Sequence, residues 1–373
     1  MFENLLANFG YGNFILVLSI LIFVHEMGHY LVARWCGVRV ETFSIGFGKE
    51  IFGWTDKTGT RWKISILPLG GYVKMFGEHS VMNEDGTEKR PMTPNEKKGS
   101  FSHKPLAQKA AVVAAGPGAN FLFAILVLAV VYAVVGKPDL ETPATSTIGS
   151  VVENSAAAEA GLLAGDTITS SGDQPISSFD DLRNAVLDSA GEPMALVILR
   201  DGIKKSLSVT PRMSEYETAE GTVEQRFLLG VRPMPPAYRK LGLVDSVGQG
   251  IGDTWNMTVM TLDAVGEIIA GDRGTDELGG PVRIAELSND AAQTGGLAII
   301  GLMVLLSINL GLINLFPIPM LDGGHLLFFA IEAVRGKPVS ERIQEFSLRI
   351  GLAFILCLMV FVTVNDFVNL SGS

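Results

Sequence analysis

The sequence predicts a polytopic α-helical membrane protein. Four transmembrane helices are expected, with a membrane-associated β-hairpin and one inserted, water-exposed α+β domain. Three observations carry this. The chain of 373 residues is 47% hydrophobic, and its mean hydropathy of +0.33 is high for a soluble protein. Its apolar residues cluster in four stretches, 12–33, 110–135, 297–333 and 350–370, and each can supply the ~20 residues that cross a bilayer as a helix. The long region between the second and third stretches has an ordinary soluble composition.

The first stretch is not expected to be a cleavable signal peptide. Glu3 and no basic residue precede it, and its interior is polar at several positions. Those positions form FVHEMGHYLVARW, residues 23–35. His25 and His29 are four apart, so on a helix they share a face and can reach one ion. Glu26 sits about 100° around the helix, within reach of a water on that ion. Two neutral imidazoles and a carboxylate base are the parts of a zinc hydrolase. Ionisable groups at membrane depth are costly, so a passive role in helix packing is the weaker reading.

Zinc needs at least a third protein ligand. The third stretch offers SINLGLINLFPIPMLDGGHLLFF, residues 307–329, in which Asp322 is the first ionisable residue. Running inward, this segment places Asp322 toward the cytoplasmic end, the depth of His25 and His29. His325 is a rival on the same face, or a donor behind the ligands. Pro317 and Pro319 break the helix just before Asp322, and Gly323 and Gly324 follow it. Irregular backbone at this depth belongs beside protein or a water-filled cavity, which a hydrolase needs. Asn309 and Asn314 would bond across helices or hold an unwound substrate backbone.

RWKISILPLGGYVKM, residues 61–75, alternates through Trp62, Ile64 and Ile66 and then turns at Pro68–Gly71, which reads as a hairpin. Its exposed edge, with Gly70 and Gly71, would let a substrate segment add as a strand; the alternative is a purely structural hairpin. Residues 79–100 are polar and read as a flexible loop.

The insert begins with SAAAEAGLLAGDTITSSGDQPISSFDDLRNAV, residues 155–186. Ala157–Ala160 suit a short helix capped by Gly161, Gly165–Asp166 a turn, and Ser178 an N-cap. Residues 194–211 read as two strands around Asp201–Gly202. This stretch resembles a PDZ domain, whose groove takes extended peptide ends; a steric gate without peptide affinity is the alternative. Residues 241–270 repeat Leu243, Val247, Ile251, Trp255, Val259, Leu262, Val265 and Ile269 at helical spacing. That helix could lie on the membrane face, clamp substrate, or simply pack. The expected divisions are 1–135, 140–212, 213–296 and 297–373.

Charge predicts orientation. Residues 35–109 carry 12 Lys+Arg against 8 Asp+Glu, and residues 136–296 carry 12 against 24. Basic flanks mark the cytoplasmic side. So residues 35–109 and the 334–349 link face the cytoplasm, while both termini and the insert lie outside. The formal net charge of −10 gives no sign of a nucleic-acid partner. The two cysteines, Cys36 and Cys357, provide neither a disulfide framework nor a CxxC zinc site.

HEMGH at 25–29 and NLFPIPMLDGGH at 314–325 together resemble the site-2 proteases, which are intramembrane zinc metalloproteases. AAGPGANFLFA at 114–124 and GGPVRIA at 279–285 extend the likeness over nearly the whole chain. The resemblance implies Zn2+ held by His25, His29 and Asp322, with Glu26 as base, and a re-entrant β-loop after the first span. It implies a bacterial inner membrane location and single-pass membrane proteins as substrates, such as anti-sigma factors or remnant signal peptides, in regulated intramembrane proteolysis. Enteric members carry two tandem PDZ domains; this insert has room for one. A catalytically inactive PDZ-bearing scaffold is the alternative. A transporter would show repeated spans, and neither motif recurs in the chain.

Overall fold

Four long helices lie in the four apolar stretches, the third of which also holds most of a shorter helix. In the computed structural model, which describes residues 9–78, 92–139, 144–217, 223–234, 237–274 and 279–372, segments long and apolar enough to cross a membrane run over Gly12–Trp35, Leu106–Val134, Gly296–Leu315 and Arg342–Asp366. They belong to helices α1 (Phe9–Trp35), α3 (Leu106–Val134), α8 (Gly296–Leu315) and α10 (Glu341–Gly372). Leu122, Leu126 and Val130 of α3 form an exposed apolar row at helical spacing, as a lipid-facing surface requires.

The chain divides into two compact units, one of residues 1–130 with 243–373 and one of residues 131–242. In the first unit, α1 is followed by strands β1 (Val40–Thr55) and β2 (Arg61–Met75). The sequence reading paired the two halves of 61–75 with each other. Instead, residues 42–45 of β1 stand between them, opposite 71–74 on one side and 61–64 on the other. Residues 50–55 then return along 61–65. The missing partner strand lacks clean alternation because Gly46 and Gly48, at φ +90° and +87°, turn the chain inside it. Aromatic rings fix this sheet to α1. Trp62 stacks on Phe43 at 4.4 Å and meets Tyr30 edge-on at 5.0 Å. Beneath them Val38, Val40, Val73 and Met75 bury against Ala33 and Val112.

Helix α2 (Pro94–Gly99) corrects the reading of 79–100 as loop throughout; residues 79–91 lie outside the described residues. Its start carries a capping box: Glu96 N–H donates to the Thr93 hydroxyl, and Thr93 N–H to the Glu96 carboxylate.

In the second unit, a four-stranded sheet runs in the order β6 (Gln174–Pro175), β5 (Thr167–Ser171), β7 (Met194–Arg200), β8 (Ile203–Val209). The expected turn at Asp201–Gly202 has positive φ at both residues, the backbone of a two-residue hairpin turn. Helices α4 (Ala156–Glu159) and α5 (Phe179–Asp188) start at the N-caps Ser155 and Ser178. Short strands complete the unit: β3 (Lys137–Pro138) pairs with β12 (Tyr238–Arg239), β4 (Ile148–Val151) with β11 (Val231–Pro233), and β9 (Arg212–Glu217) with β10 (Val223–Leu228). Strands β9–β12 thus occupy the start of the 213–296 segment that the sequence reading gave to helix. Leu229 explains why: it is buried in one core with Ile148, Ile168, Leu182, Leu196 and Ile198.

Helix α6 (Leu243–Ala270) returns to the first unit. Its buried face is small: Ser246, Gly250 and Thr254. A Cβ at Gly250 would lie 2.8 Å from the Ile125 carbonyl oxygen of α3, so small residues allow the helices to approach closely. Of the predicted apolar row, Leu243, Val247, Ile251, Trp255, Leu262 and Ile269 are exposed, and Val259 and Val265 are half-buried. Helix α7 (Pro281–Thr294) packs on α1. Helix α8 ends at Leu315, and α9 (Asp322–Arg335) begins at the candidate ligand.

Candidate metal centre and active site

One helix crossing and one helix break bring the polar groups together. At the α1–α3 crossing, Gly28 has no room for a side chain: a Cβ there would lie 2.1 Å from the Ala115 carbonyl oxygen and 2.7 Å from Ala119 Cβ. The close approach lets His29 Nδ1 donate to the Val112 carbonyl oxygen at 2.9 Å. It also places the Asn120 side-chain amide 3.0 Å from His25 Nδ1. Gly116 makes space for the second imidazole, since a Cβ there would stand 2.2 Å from His29 Nε2.

The break after α8 delivers the carboxylate. Phe316–Leu321 is extended and turning, as Pro317 and Pro319 require. Met320 adopts φ +92°, a conformation that costs a non-glycine residue about 1–3 kcal/mol. Asp322 then opens α9. Gly323 and Gly324 pack against the turn with no space for Cβ atoms; the Phe316 and Ile318 carbonyl oxygens would be 2.2 and 2.5 Å away.

The result is a three-atom cluster. His25 Nε2 and His29 Nε2 are 3.3 Å apart, and Asp322 Oδ2 lies 3.2 Å from the first and 3.5 Å from the second. Ligand atoms on a tetrahedron with bonds of ~2.0–2.1 Å stand about 3.3–3.4 Å apart, so this spacing fits zinc. Among the described residues Asp322 Oδ2 is buried with no hydrogen bond of its own; the groups within reach are the two imidazole nitrogens. His25, Glu26 and His29 are each 8% exposed. Among the described residues, the grouping of side chains able to hold a metal consists of His25, His29 and Asp322. His325, the rival from sequence, is outside it.

Glu26 faces the sheet. A Cβ on Gly71 would sit 2.9 Å from Glu26 Cγ and 2.7 Å from Ile22 Cγ2, so the glycine lets strand 71–75 lie directly against the helix. Residues 71–75 pair along one edge, with 40–45. The two asparagines are engaged otherwise. Asn309 Oδ1 accepts from the Thr261 hydroxyl of α6 at 3.2 Å, the cross-helix role considered from sequence. Asn314 Nδ2 donates to the Leu310 carbonyl oxygen one turn back. Sequence reasoning missed Gly116 and Asn120; the GPGAN stretch that holds both entered only as part of the family likeness.

Known proteins resemble this chain over most of its length. The pattern of peptidase family M50 matches residues 13–358. A candidate zinc metalloprotease of Agrobacterium fabrum is 42% identical over 364 residues, covering 96% of both chains. A similarly named protein of Rhizobium meliloti is 40% identical over 358 residues, covering 95% of each. The regulator of sigma-E protease RseP of Salmonella typhimurium is 34% identical, covering 96% of this chain and 98% of its own. That alignment runs over 452 positions against 373 residues here, so the Salmonella protein carries sequence that this one lacks. A match across most of the chain to the family pattern, and across nearly all of it to these relatives, places this multi-pass protein in peptidase family M50, the zinc-dependent site-2 metalloproteases.

Proposed function

We propose that the protein is an intramembrane endopeptidase that uses Zn2+ held by His25, His29 and Asp322 to cut transmembrane segments of single-pass membrane proteins. The observation that carries this is the convergence of His25 Nε2 and His29 Nε2 of α1 with Asp322 Oδ2 of α9, at tetrahedral spacing, beside buried Glu26. Bound zinc supplies a Lewis acid that acidifies water and polarises the scissile carbonyl. His25 and His29 serve as neutral donors and Asp322 as the anionic one. Glu26 takes a proton from the attacking water on its carboxylate and passes it to the leaving nitrogen.

Substrate is read as an added strand. A helical peptide bond is shielded by its own hydrogen bonds, whereas a strand laid along 71–75 exposes its carbonyl. Gly71 leaves room for that edge to lie against Glu26, Gly70 sits beside the Phe47 ring, and Asn314, next to the last residue of α8, would hold an unwound backbone. Asn309 serves the α6–α8 contact and reaches substrate only if Thr261 releases it. The name of the Salmonella relative supports anti-sigma-factor-like substrates, in regulated intramembrane proteolysis. Its bacterial source and the charge split support a multi-pass inner-membrane protein, with residues 35–109 in the cytoplasm and residues 131–242 outside. We read the latter unit as a single PDZ domain that admits trimmed substrates or takes their free carboxyl ends.

The test is Glu26→Gln in the full chain, reconstituted with a single-pass substrate. Zinc should stay at one per chain while cleavage falls by at least ~100-fold, the lower range for removing a general base. Cleavage at the wild-type rate would refute the mechanism.

A further inference from the structure

The two histidines of the cluster are supported differently. His29 Nδ1 faces the Val112 carbonyl oxygen at 2.9 Å. A carbonyl only accepts, so the His29 proton sits on Nδ1 and the Nε2 lone pair points into the cluster. His25 Nδ1 faces the side-chain amide of Asn120 at 3.0 Å. With Nδ2 turned toward the ring, the amide donates to Nδ1, which forces the His25 proton onto Nε2. That proton would occupy the lone pair a metal needs.

The amide has a second orientation. Half a turn about Cβ–Cγ exchanges Oδ1 and Nδ2 with little change of shape. Asn120 is fully buried, and among the described residues its Oδ1 has no hydrogen-bond partner, a cost of about 1–3 kcal/mol in a dry site. The exchange gives that oxygen a donor, His25 Nδ1–H, and clears His25 Nε2. The backbone of Asn120 is fixed from the third helix. The Ser307 hydroxyl of α8 donates to its carbonyl oxygen at 2.9 Å, and a Cβ on Gly311 would touch Asn120 Cβ at 3.2 Å.

We infer that Asn120 is a positioning residue for the metal centre: its Oδ1 accepts from His25 Nδ1–H and holds His25 as an Nε2 donor, as the Val112 carbonyl does for His29. The inference rests on the zinc-peptidase reading. A partner that orients a ligating imidazole is typically worth 10–100-fold in metal affinity.

The test is zinc affinity of the purified full-length protein by competition with a chromogenic chelator, with no substrate present. Wild type, His25→Ala, Asn120→Leu and Asn120→Asp are compared. Asn120→Leu keeps the branching at Cγ and loses the acceptor; it should bind zinc about 10–100-fold more weakly. Asn120→Asp cannot donate as a carboxylate but accepts well, and should bind zinc no more weakly than wild type, which also shows that the site tolerates substitution. Equal affinity in Asn120→Leu and wild type overturns the inference and leaves the zinc reading intact. Loss of zinc in Asn120→Asp also overturns it, because the amide N–H would then be the group that matters. Unchanged zinc in His25→Ala overturns the zinc reading itself, and the inference with it.

Discussion

One methyl group on Gly116 is the sharpest residue-level probe of the site. A Cβ there would stand 2.2 Å from His29 Nε2, inside any possible contact distance, so the imidazole must swing away from His25 and Asp322. Alanine is otherwise favourable in a helix, by up to ~1 kcal/mol over glycine. Displacing the ring also breaks its hydrogen bond to the Val112 carbonyl oxygen and overpacks a buried site, which costs about 1–3 kcal/mol and outweighs the helix gain. Gly116→Ala should weaken zinc binding at least ~10-fold and lower the thermal midpoint of the metal-free protein. Chelator competition and calorimetry on the same sample check both; wild-type zinc affinity would show that the ring has room to move. His25, Glu26 and His29 were legible in sequence because a four-residue interval on a helix fixes their mutual placement without any tertiary information. Asn120 lies 95 residues from His25, and Val112 is 83 from His29. Nothing local in AAGPGANFLFA says that its asparagine or its first glycine meets an imidazole.

Among elements, α7 depends on a distant side chain. Gly280 precedes it with no side chain to cap it. Asp366, from α10, accepts instead from the Gly280, Val282 and Arg283 N–H groups at 2.9, 3.2 and 3.3 Å. The carboxylate satisfies orphan donors of the first turn and opposes the positive end of the helix. Asp366→Ala should destabilise that turn by about 1–2 kcal/mol, the upper range for a lost cap, and so raise hydrogen exchange over residues 280–286 roughly 5–30-fold. Because α7 packs on the helix that carries His25 and Glu26, the loosening should extend to α1. Unchanged exchange in α7 would mean the helix is held by packing alone. The elements themselves were legible to different degrees. The four long helices followed from apolar length, and the break before Asp322 followed from two prolines. Strand 40–55 did not, since its partner residues surround it on both sides and its two glycine turns erase the alternation. Helix α2 carried a readable signal, Thr93-Pro94-Asn95-Glu96, that the polar composition of its surroundings hid.

At the scale of the whole molecule, the chain joins a unit stabilised by helix packing to one stabilised by a small α+β core, and the two should respond differently to acid. Asp166 is the reason. Its carboxylate is 1% exposed and accepts from Arg200 Nε and Nη2, each at 2.7 Å, and from the Leu163 N–H at 2.9 Å. Hydrogen bonding to Arg200 outweighs burial and holds this carboxyl below the usual range for an aspartate. Arg200 Nη2 also donates to the Gly161 carbonyl oxygen, so the pair fastens β7 to the turn that ends α4. A carboxyl whose folded pKa is depressed stabilises the fold above its unfolded pKa, near 3.9. That contribution fades as pH falls through the folded value, because the unfolded chain then binds the proton first. Calorimetry of the intact protein should therefore show a transition of residues 131–242 whose midpoint drops as pH is lowered from 5 toward 3. Asp166→Asn should unfold roughly 5 °C lower at pH 7, the shift that about 1 kcal/mol produces in a domain of this size, and its deficit should shrink across the same acid range. A deficit that stays constant from pH 7 to pH 3 would mean that shape, and not the charge on Asp166, accounts for its hold on Arg200.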